Sequence, residues 1–288
     1  MKIFVYGTLR KGESNASLLK SATRIAEQAW TKGKLYDTGF GYPALKRTSS
    51  SKVYGELYEV SKRELERLDQ LESYTKGSDD NLYERIEQKV FTDDSVYDAY
   101  VYVAGDSSLL KTKMTNQDWK EYKLFASKKE SVLYFAYGSC MDEERFKAAG
   151  VLHYFKKVVG KGVLPNYSLK FTHRSSNDDL GRADIVEVGG VVEGKVYEIP
   201  VEALNYLYRR EGAPFVYRPT FVTIKVNGYE KQALTFTVIK KLSETAPPED
   251  YAEEIFRGGK EILSDSYLSS LKAHISSLNK LNLLVGGN

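Results

Sequence analysis

The chain contains the same short motif twice, and this repeat is its most constraining feature. Residues 4–9 read FVYGTL, and residues 135–140 read FAYGSC. A second matched block follows each motif, GELYEV from Gly55 and GKVYEI from Gly194. The interval between the copies is far longer than the repeat of about 20–50 residues that solenoid proteins use. The sequence therefore predicts two related domains in tandem, and residues at matched positions are candidates for a shared site.

The size and composition suit two ordinary globular domains, which we place at residues 1–126 and 131–288. The net charge is only +3, which argues against nucleic-acid binding because it supplies no basic surface. The single cysteine excludes an internal disulfide, and no apolar stretch reaches the ~18 residues of a membrane helix. The amino terminus has no charged-then-apolar leader, so we expect a cytoplasmic protein with no membrane partner.

The apolar patterns predict α+β domains, because strands and helices do not alternate regularly. We predict a helix over residues 16–28 and another that begins with a capping box at Ser61. Pro200 is expected in the first turn of a helix. Carboxy-terminal helices are expected within residues 105–130 and 249–278. The predicted strands cover residues 3–6, 53–60, 84–91, 97–103, 132–135, 191–199, 220–226 and 232–239.

The recurring loops are the candidate substrate-binding segments. A glycine directly after a buried strand lets the backbone turn and expose successive amides to an anionic group. A carbonyl oxygen that gains negative charge during a reaction is one such group. The hydroxyl of the next residue adds a donor in each copy. We therefore assign substrate binding to Tyr6, Gly7, Thr8, Leu9, Tyr137, Gly138, Ser139 and Cys140.

Glu72 and Glu211 are the candidate catalytic residues. They follow Gly55 and Gly194 by the same interval of 17 residues, each at the end of a predicted helix. The negative end of the helix dipole and partial burial both raise a carboxyl pKa above about 4.3, which suits a group that accepts and returns a proton. The alternative interpretation is a solvated glutamate at a helix end. A glycosidase pair formed by the two glutamates would need one shared cleft, whereas duplication predicts a site in each domain.

No other catalytic apparatus is evident in the sequence. His153, His173 and His274 lack the spacing of metal ligands, and Cys140 has no evident partner. A phosphate loop and a dinucleotide fingerprint are both missing. We therefore expect no metal and no cofactor.

Together these motifs resemble the γ-glutamylcyclotransferase superfamily over nearly the whole chain. Residues 3 to about 124 resemble the AIG2-like branch that acts on γ-glutamylamines, whereas residues 133–280 resemble the branch that acts on γ-glutamyl amino acids or glutathione. In the first domain the matching residues are Tyr6 to Gly12, Asn15, Tyr42 to Ala44, Gly55 to Tyr58, Leu68 to Glu72, Tyr83 and Arg85. In the second they are Phe135 to Ser139, Gly194 to Tyr197, Arg210 to Gly212, Tyr217, Tyr251, Ile255, Gly258, Gly259, Glu261 and Tyr267.

The resemblance implies two small mixed β-barrels flanked by helices and a cofactor-free cyclisation of a small γ-glutamyl substrate. Its amino group would attack its own γ-carbonyl to give 5-oxoproline and a free amine, with Glu72 or Glu211 moving the proton. Cys140 replaces the asparagine usual at its position, so the first domain is favoured if only one is active. The alternative is a non-catalytic module that captures a carboxylate-bearing ligand. The sequence leaves the oligomeric state open and is compatible with a monomer.

Overall fold

The chain divides into two compact units, Met1–Ser127 and Lys128–Asn288. A computed structural model describes residues 1–127 and 129–285, with side chains described up to residue 280. Each unit contains its own closed barrel of five strands. Within the described residues, no helix is both long enough and apolar enough to cross a membrane.

The first domain is a barrel with a small accessory sheet and two helices. Its strands follow one another in the barrel in the order β1-β5-β2-β6-β7, and the parallel pairing of β1 with β7 closes it. The accessory sheet has the order β4-β3-β8. The elements are β1 (Lys2–Val5), β2 (Thr23–Lys32), β3 (Lys34–Asp37), β4 (Pro43–Lys46), β5 (Lys52–Glu59), α1 (Lys62–Leu71), β6 (Tyr83–Phe91), β7 (Val96–Ala104), β8 (Thr112–Lys113) and α2 (Trp119–Ala126).

The second domain repeats this plan and adds helices. Its barrel order is β10-β13-β9-β15-β14, again with one parallel pairing, and β11 and β12 form a separate pair. The elements are β9 (Ser131–Ala136), α3 (Glu143–Ala148), β10 (Val158–Pro165), β11 (Ser168–Arg174), β12 (Gly181–Val186), β13 (Val191–Pro200), α4 (Leu204–Arg210), β14 (Tyr217–Val226), β15 (Tyr229–Val238), α5 (Glu249–Gly259) and α6 (Asp265–Val285). The predicted fold class, two tandem α+β domains built on small mixed barrels, is confirmed.

Helix α1 positions Glu72, the candidate catalytic residue of the first domain. It begins with the predicted capping box, in which the Ser61 hydroxyl accepts from the Glu64 amide and the Glu64 carboxylate accepts from the Ser61 amide. Leu65 and Leu68 are buried against the outside of the barrel, which fixes the rotation of the helix. Glu72 is the residue that ends the helix.

The helix predicted over residues 16–28 is wrong. Only Ala16–Leu19 forms a single 3₁₀ turn, and the rest of the segment enters strand β2. Register shifts interrupt its pairing with β5 between Arg24 and Ala26 and again between Ala26 and Ala29. Such bulges break the two-residue alternation that identifies a strand, and the barrel core buries both alanines.

The prediction that Pro200 lies in the first turn of a helix is also wrong. This residue ends strand β13, and a 3₁₀ turn over Val201–Ala203 separates it from helix α4. Its fixed φ suits the extended residue before a helix as well as the first helical residue, which explains the error.

A close contact between two strands explains why Gly55 and Gly194 recur. A Cβ atom on Gly55 would lie 2.3 Å from the carbonyl oxygen of Val5, and one on Gly194 would lie 2.4 Å from that of Ala136. In both domains the first strand therefore ends against a glycine of its neighbour. Any side chain at that glycine would displace the backbone that leads into the candidate loop.

Replacing Gly55 by alanine is expected to destabilise the first domain by about 2–3 kcal/mol, because the blocking atom belongs to the backbone and cannot rotate away. Both tryptophans, Trp30 and Trp119, lie in this domain, so urea unfolding followed by their fluorescence measures its stability. The control is Glu59→Ala at the exposed end of the same strand. If Gly55→Ala and Glu59→Ala have the same free energy of unfolding, the close contact between Gly55 and the Val5 carbonyl does not constrain this position.

Candidate active site

The first domain contains a cavity of about 360 Å³ where β1 and helix α1 both end. It brings together all five residues predicted for this domain, namely Tyr6, Gly7, Thr8, Leu9 and Glu72. It is otherwise lined by Phe4, Val5, Asn15, Tyr42, Pro43, Leu71, Ser73, Leu82, Tyr83 and Tyr102. Glu72 is the only acidic or basic side chain in this lining.

The loop after β1 presents unpaired amides to the cavity. Within residues 1–127, the amides of Gly7, Thr8 and Leu9 donate no hydrogen bond. The Thr8 hydroxyl accepts from Asn15 Nδ2 at 3.0 Å, which leaves its own hydrogen available to donate. Gly7 is required here because a Cβ would lie 2.7 Å from the Pro43 ring, and its backbone is not in the left-handed region.

Glu72 is a half-buried carboxyl without a hydrogen-bonding partner among the described residues. Burial raises its pKa from 4.5 to about 7. A charged carboxylate at this place gains no compensating hydrogen bond, so its neutral form is favoured until the solution is close to neutral. The group can therefore exist in both protonation states at physiological pH.

Tyrosines form the wall around Glu72 and are held by backbone carbonyls. Tyr6 donates its hydroxyl to the Tyr102 carbonyl at 2.9 Å, and Tyr83 donates to the Pro43 carbonyl at 2.9 Å. Burial, with further contributions that include the Glu72 charge, raises the pKa of both the Tyr6 and the Tyr83 phenol. The phenols are thus fixed and neutral. Sequence reasoning missed Tyr102, because a tyrosine in a strand gives no signal of its own.

The second domain contains a matched cavity of about 440 Å³. It brings together its five predicted residues, namely Tyr137, Gly138, Ser139, Cys140 and Glu211. Two tyrosine bonds recur, from Tyr137 to the Phe236 carbonyl at 2.6 Å and from Tyr217 to the Ala183 carbonyl at 2.8 Å. Within residues 129–280, the amides of Gly138, Ser139 and Cys140 also donate no hydrogen bond.

The carboxyl of Glu211 differs from that of Glu72 because it has a hydrogen-bonding partner. The thiol of Cys140 donates to Glu211 Oε1 at 3.3 Å, and Arg210 Nη2 donates to the Ser139 hydroxyl at 3.0 Å. Burial raises the pKa of Glu211, while Arg210 and the thiol oppose that rise. Burial also raises the pKa of Cys140 to about 12, so the thiol stays neutral. The expectation that Cys140 lacks a partner is therefore wrong.

The two cavities also differ in charge. Four arginines (Arg145, Arg182, Arg209 and Arg210) line the second cavity, whereas no lysine or arginine lines the first. Arg85, one of the residues that carry the resemblance, contacts Asp69 at 2.6 Å. Among the described residues no group of His, Cys, Asp and Glu could hold a metal ion.

Two family models match the chain. The model described as gamma-glutamyl cyclotransferase, AIG2-like, matches residues 3–121. The model described as the AIG2-like family matches residues 191–271. The matches thus fall in both domains, one over the first cavity and one over the second glutamate.

Similar proteins match nearly the whole chain or less than half of it. YkqA of Bacillus subtilis, which carries the name "putative gamma-glutamylcyclotransferase", is 42% identical over 285 residues, covering 96% of this chain and 98% of YkqA. The crystal structure of YkqA superposes with a TM-score of 0.86. The gamma-L-glutamyl-butirosin B gamma-glutamyl cyclotransferase of Niallia circulans is 42% identical over 123 residues, covering 42% of this chain and 77% of that enzyme.

Burial of Glu72 also predicts a stability effect that requires no turnover. Its pKa is higher in the folded chain than the ordinary 4.5, so the folded state loses stability as the pH rises from about 4.5 to 7. Glu72→Gln removes this loss. After allowance for partial exposure, we expect the free energy of unfolding of Glu72→Gln to exceed that of wild type by about 1–2 kcal/mol at pH 8. At pH 4 the two free energies should be almost equal.

Urea unfolding followed by tryptophan fluorescence at both pH values measures this difference. Glu66→Gln, at an exposed glutamate of the same helix, is the matched control. A Glu72→Gln effect that is independent of pH would contradict the raised pKa.

Proposed function

The chain belongs to the γ-glutamylcyclotransferase family, and on that basis we propose that its first domain converts a γ-glutamyl amide to 5-oxoproline and a free amine, with Glu72 as general acid and base. The observation that carries this proposal is the Glu72 carboxyl, unpartnered among the described residues, with a pKa of about 7, in the cavity that Gly7, Thr8 and Leu9 also line.

In the proposed reaction the substrate supplies both the nucleophile and the electrophile. Ionised Glu72 removes a proton from the α-ammonium group, and the freed amine attacks the γ-carbonyl carbon. Protonated Glu72 then gives this proton to the amide nitrogen, the carbon–nitrogen bond breaks, and the amine leaves. The new ring nitrogen still carries a second proton, which Glu72, ionised again, accepts and passes to the free amine, so that the products are 5-oxoproline and an ammonium ion. A carboxyl with a pKa near neutrality suits these transfers. The reaction is an acyl transfer within one molecule and requires no cofactor.

The loop amides would stabilise the negative charge that develops on the γ-carbonyl oxygen during the attack. Donors that are already oriented and unpaired lower the barrier without reorganising. The tyrosines fixed by backbone carbonyls would hold the bent chain of the substrate, and such orientation supplies much of the rate of an intramolecular reaction. The leaving amine would face a cavity wall without cationic side chains.

The second domain supports a second candidate function, the binding of a γ-glutamyl or other carboxylate-bearing ligand with little turnover. The specific observation is the hydrogen bond from Cys140 to Glu211, which occupies the carboxylate that would otherwise accept a proton. The four arginines in this cavity would favour an anionic ligand.

The test is release of 5-oxoproline by the full chain from glutathione, several γ-glutamyl amino acids and γ-glutamyl-lysine. Glu72→Gln is expected to lower kcat by about 10²–10⁴-fold, because glutamine keeps the shape but moves no proton. Glu211→Gln, the matched variant in the second domain, is expected to retain most of the activity. Full activity in Glu72→Gln would contradict the proposal, and loss only in Glu211→Gln would transfer the reaction to the second domain.

A further inference from the structure

A buried ion-pair network lies directly behind the substrate loop of the first domain. Arg10 follows that loop and is 1% exposed. Its Nε donates to Glu56 of strand β5 at 3.3 Å, and its Nη1 donates to Asp118 at 2.7 Å. Asp118 is the N-cap of helix α2. One side chain thus connects the loop to a barrel strand and to the domain's last helix.

Glu56 is the centre of this network. It is fully buried and also accepts from the Lys11 amide at 2.9 Å, from Lys120 Nζ at 3.0 Å and from the Tyr58 hydroxyl at 2.9 Å. Burial by itself would raise its pKa, but Lys120 and Arg10 outweigh burial and hold the pKa at about 2. Glu56 therefore stays ionised at neutral pH.

The second domain makes the same three-way connection with other residues. After its loop, Asp142 binds Arg257 of helix α5, and Glu143 accepts from Lys195 of strand β13 at 3.0 Å. The Tyr197 hydroxyl donates to the Met141 carbonyl at 3.3 Å. Helix α5 approaches so closely that a Cβ on Gly258 would lie 2.4 Å from the Met141 carbonyl carbon.

The charges of this connection are reversed between the domains. Glu56 and Lys195 each directly follow the recurring glycine of their strands, so they occupy the same position with opposite sign. The loop is basic in the first domain and acidic in the second, and the helix partner changes from Asp118 to Arg257. The loop is therefore tied to a strand and to a helix in both domains, although the charge on each of these three elements is opposite in the two domains. This points to a requirement for the contact itself.

The geometry points to a clamp, formed by loop, strand and helix charges, whose residues position the loop amides for the reaction. Arg10, Glu56 and Asp118 are the positioning residues of the first domain. Those of the second are Asp142, Glu143, Lys195 and Arg257. The clamp residues do not line the cavities. Their role rests on the proposed function, because it concerns the amides that would bind the developing oxyanion.

The test compares hydrogen exchange and kinetics in the full chain for Arg10→Met and for Asp118→Asn, which keeps the size of the cap. We expect exchange of the hydrogen-bonded amides within residues 10–15 to rise about tenfold or more, with little change in the hairpin of residues 83–104. We expect kcat for 5-oxoproline release to fall by about tenfold or more with little change in KM, while the pH profile set by Glu72 stays unchanged. Arg10→Lys, which keeps the charge, should restore part of both effects.

Two further variants keep the test decisive if Arg10→Met does not fold. Lys195→Met alters the more exposed clamp of the second domain and should increase exchange in residues 138–146 only. Lys89→Met removes an exposed ion pair with Asp98 and should change neither loop. Exchange that stays unchanged in the loops, or that rises equally throughout the barrel, would overturn the clamp. The exchange result stands without turnover, so it separates failure of the clamp from failure of the proposed reaction.

Discussion

Each domain is organised around the place where its first strand ends against a glycine of the neighbouring strand. The carbonyl of Val5 or Ala136 occupies the space that a side chain on Gly55 or Gly194 would need. This contact determines where the strand stops, and therefore where the next tyrosine and the unpaired loop amides lie. The residue after each glycine then holds the far end of the same loop by an ion pair, Glu56 with Arg10 and Lys195 with Glu143. Two adjacent residues of one strand thus place both ends of the substrate loop.

The two sites share this frame but differ in the environment of the carboxyl. Glu72 lies among fixed, neutral phenols and has no hydrogen-bonding partner among the described residues, so burial alone sets its pKa. Glu211 also lines a cavity but receives the Cys140 thiol, and four arginines line the same cavity. Two copies of one architecture can therefore hold a reactive carboxyl in one domain and a restrained one in the other.

The repeat made much of the fold and the site predictable, because it marked the loops and glutamates that matched cavities later bring together. Strand β2 was not predictable, because its bulges remove the alternation and only barrel closure selects a strand for residues 23–32. The ion-pair clamp was also missed. Arg10 and Asp118 are 108 residues apart, and the reversal of sign between domains hides the match from any comparison of the two copies. Likewise, only the fold shows that Cys140 contacts Glu211.

The most direct test of the account is the carboxyl titration of Glu72, followed by ¹³C NMR in the full chain and assigned by its loss in Glu72→Gln. We predict a pKa of about 7 for this carboxyl. We also predict that kcat/KM for 5-oxoproline release rises with pH, with its midpoint at that pKa. A carboxyl that titrates near its ordinary value of 4.5, or a rate that does not follow its ionisation, would contradict the role of Glu72 as the base.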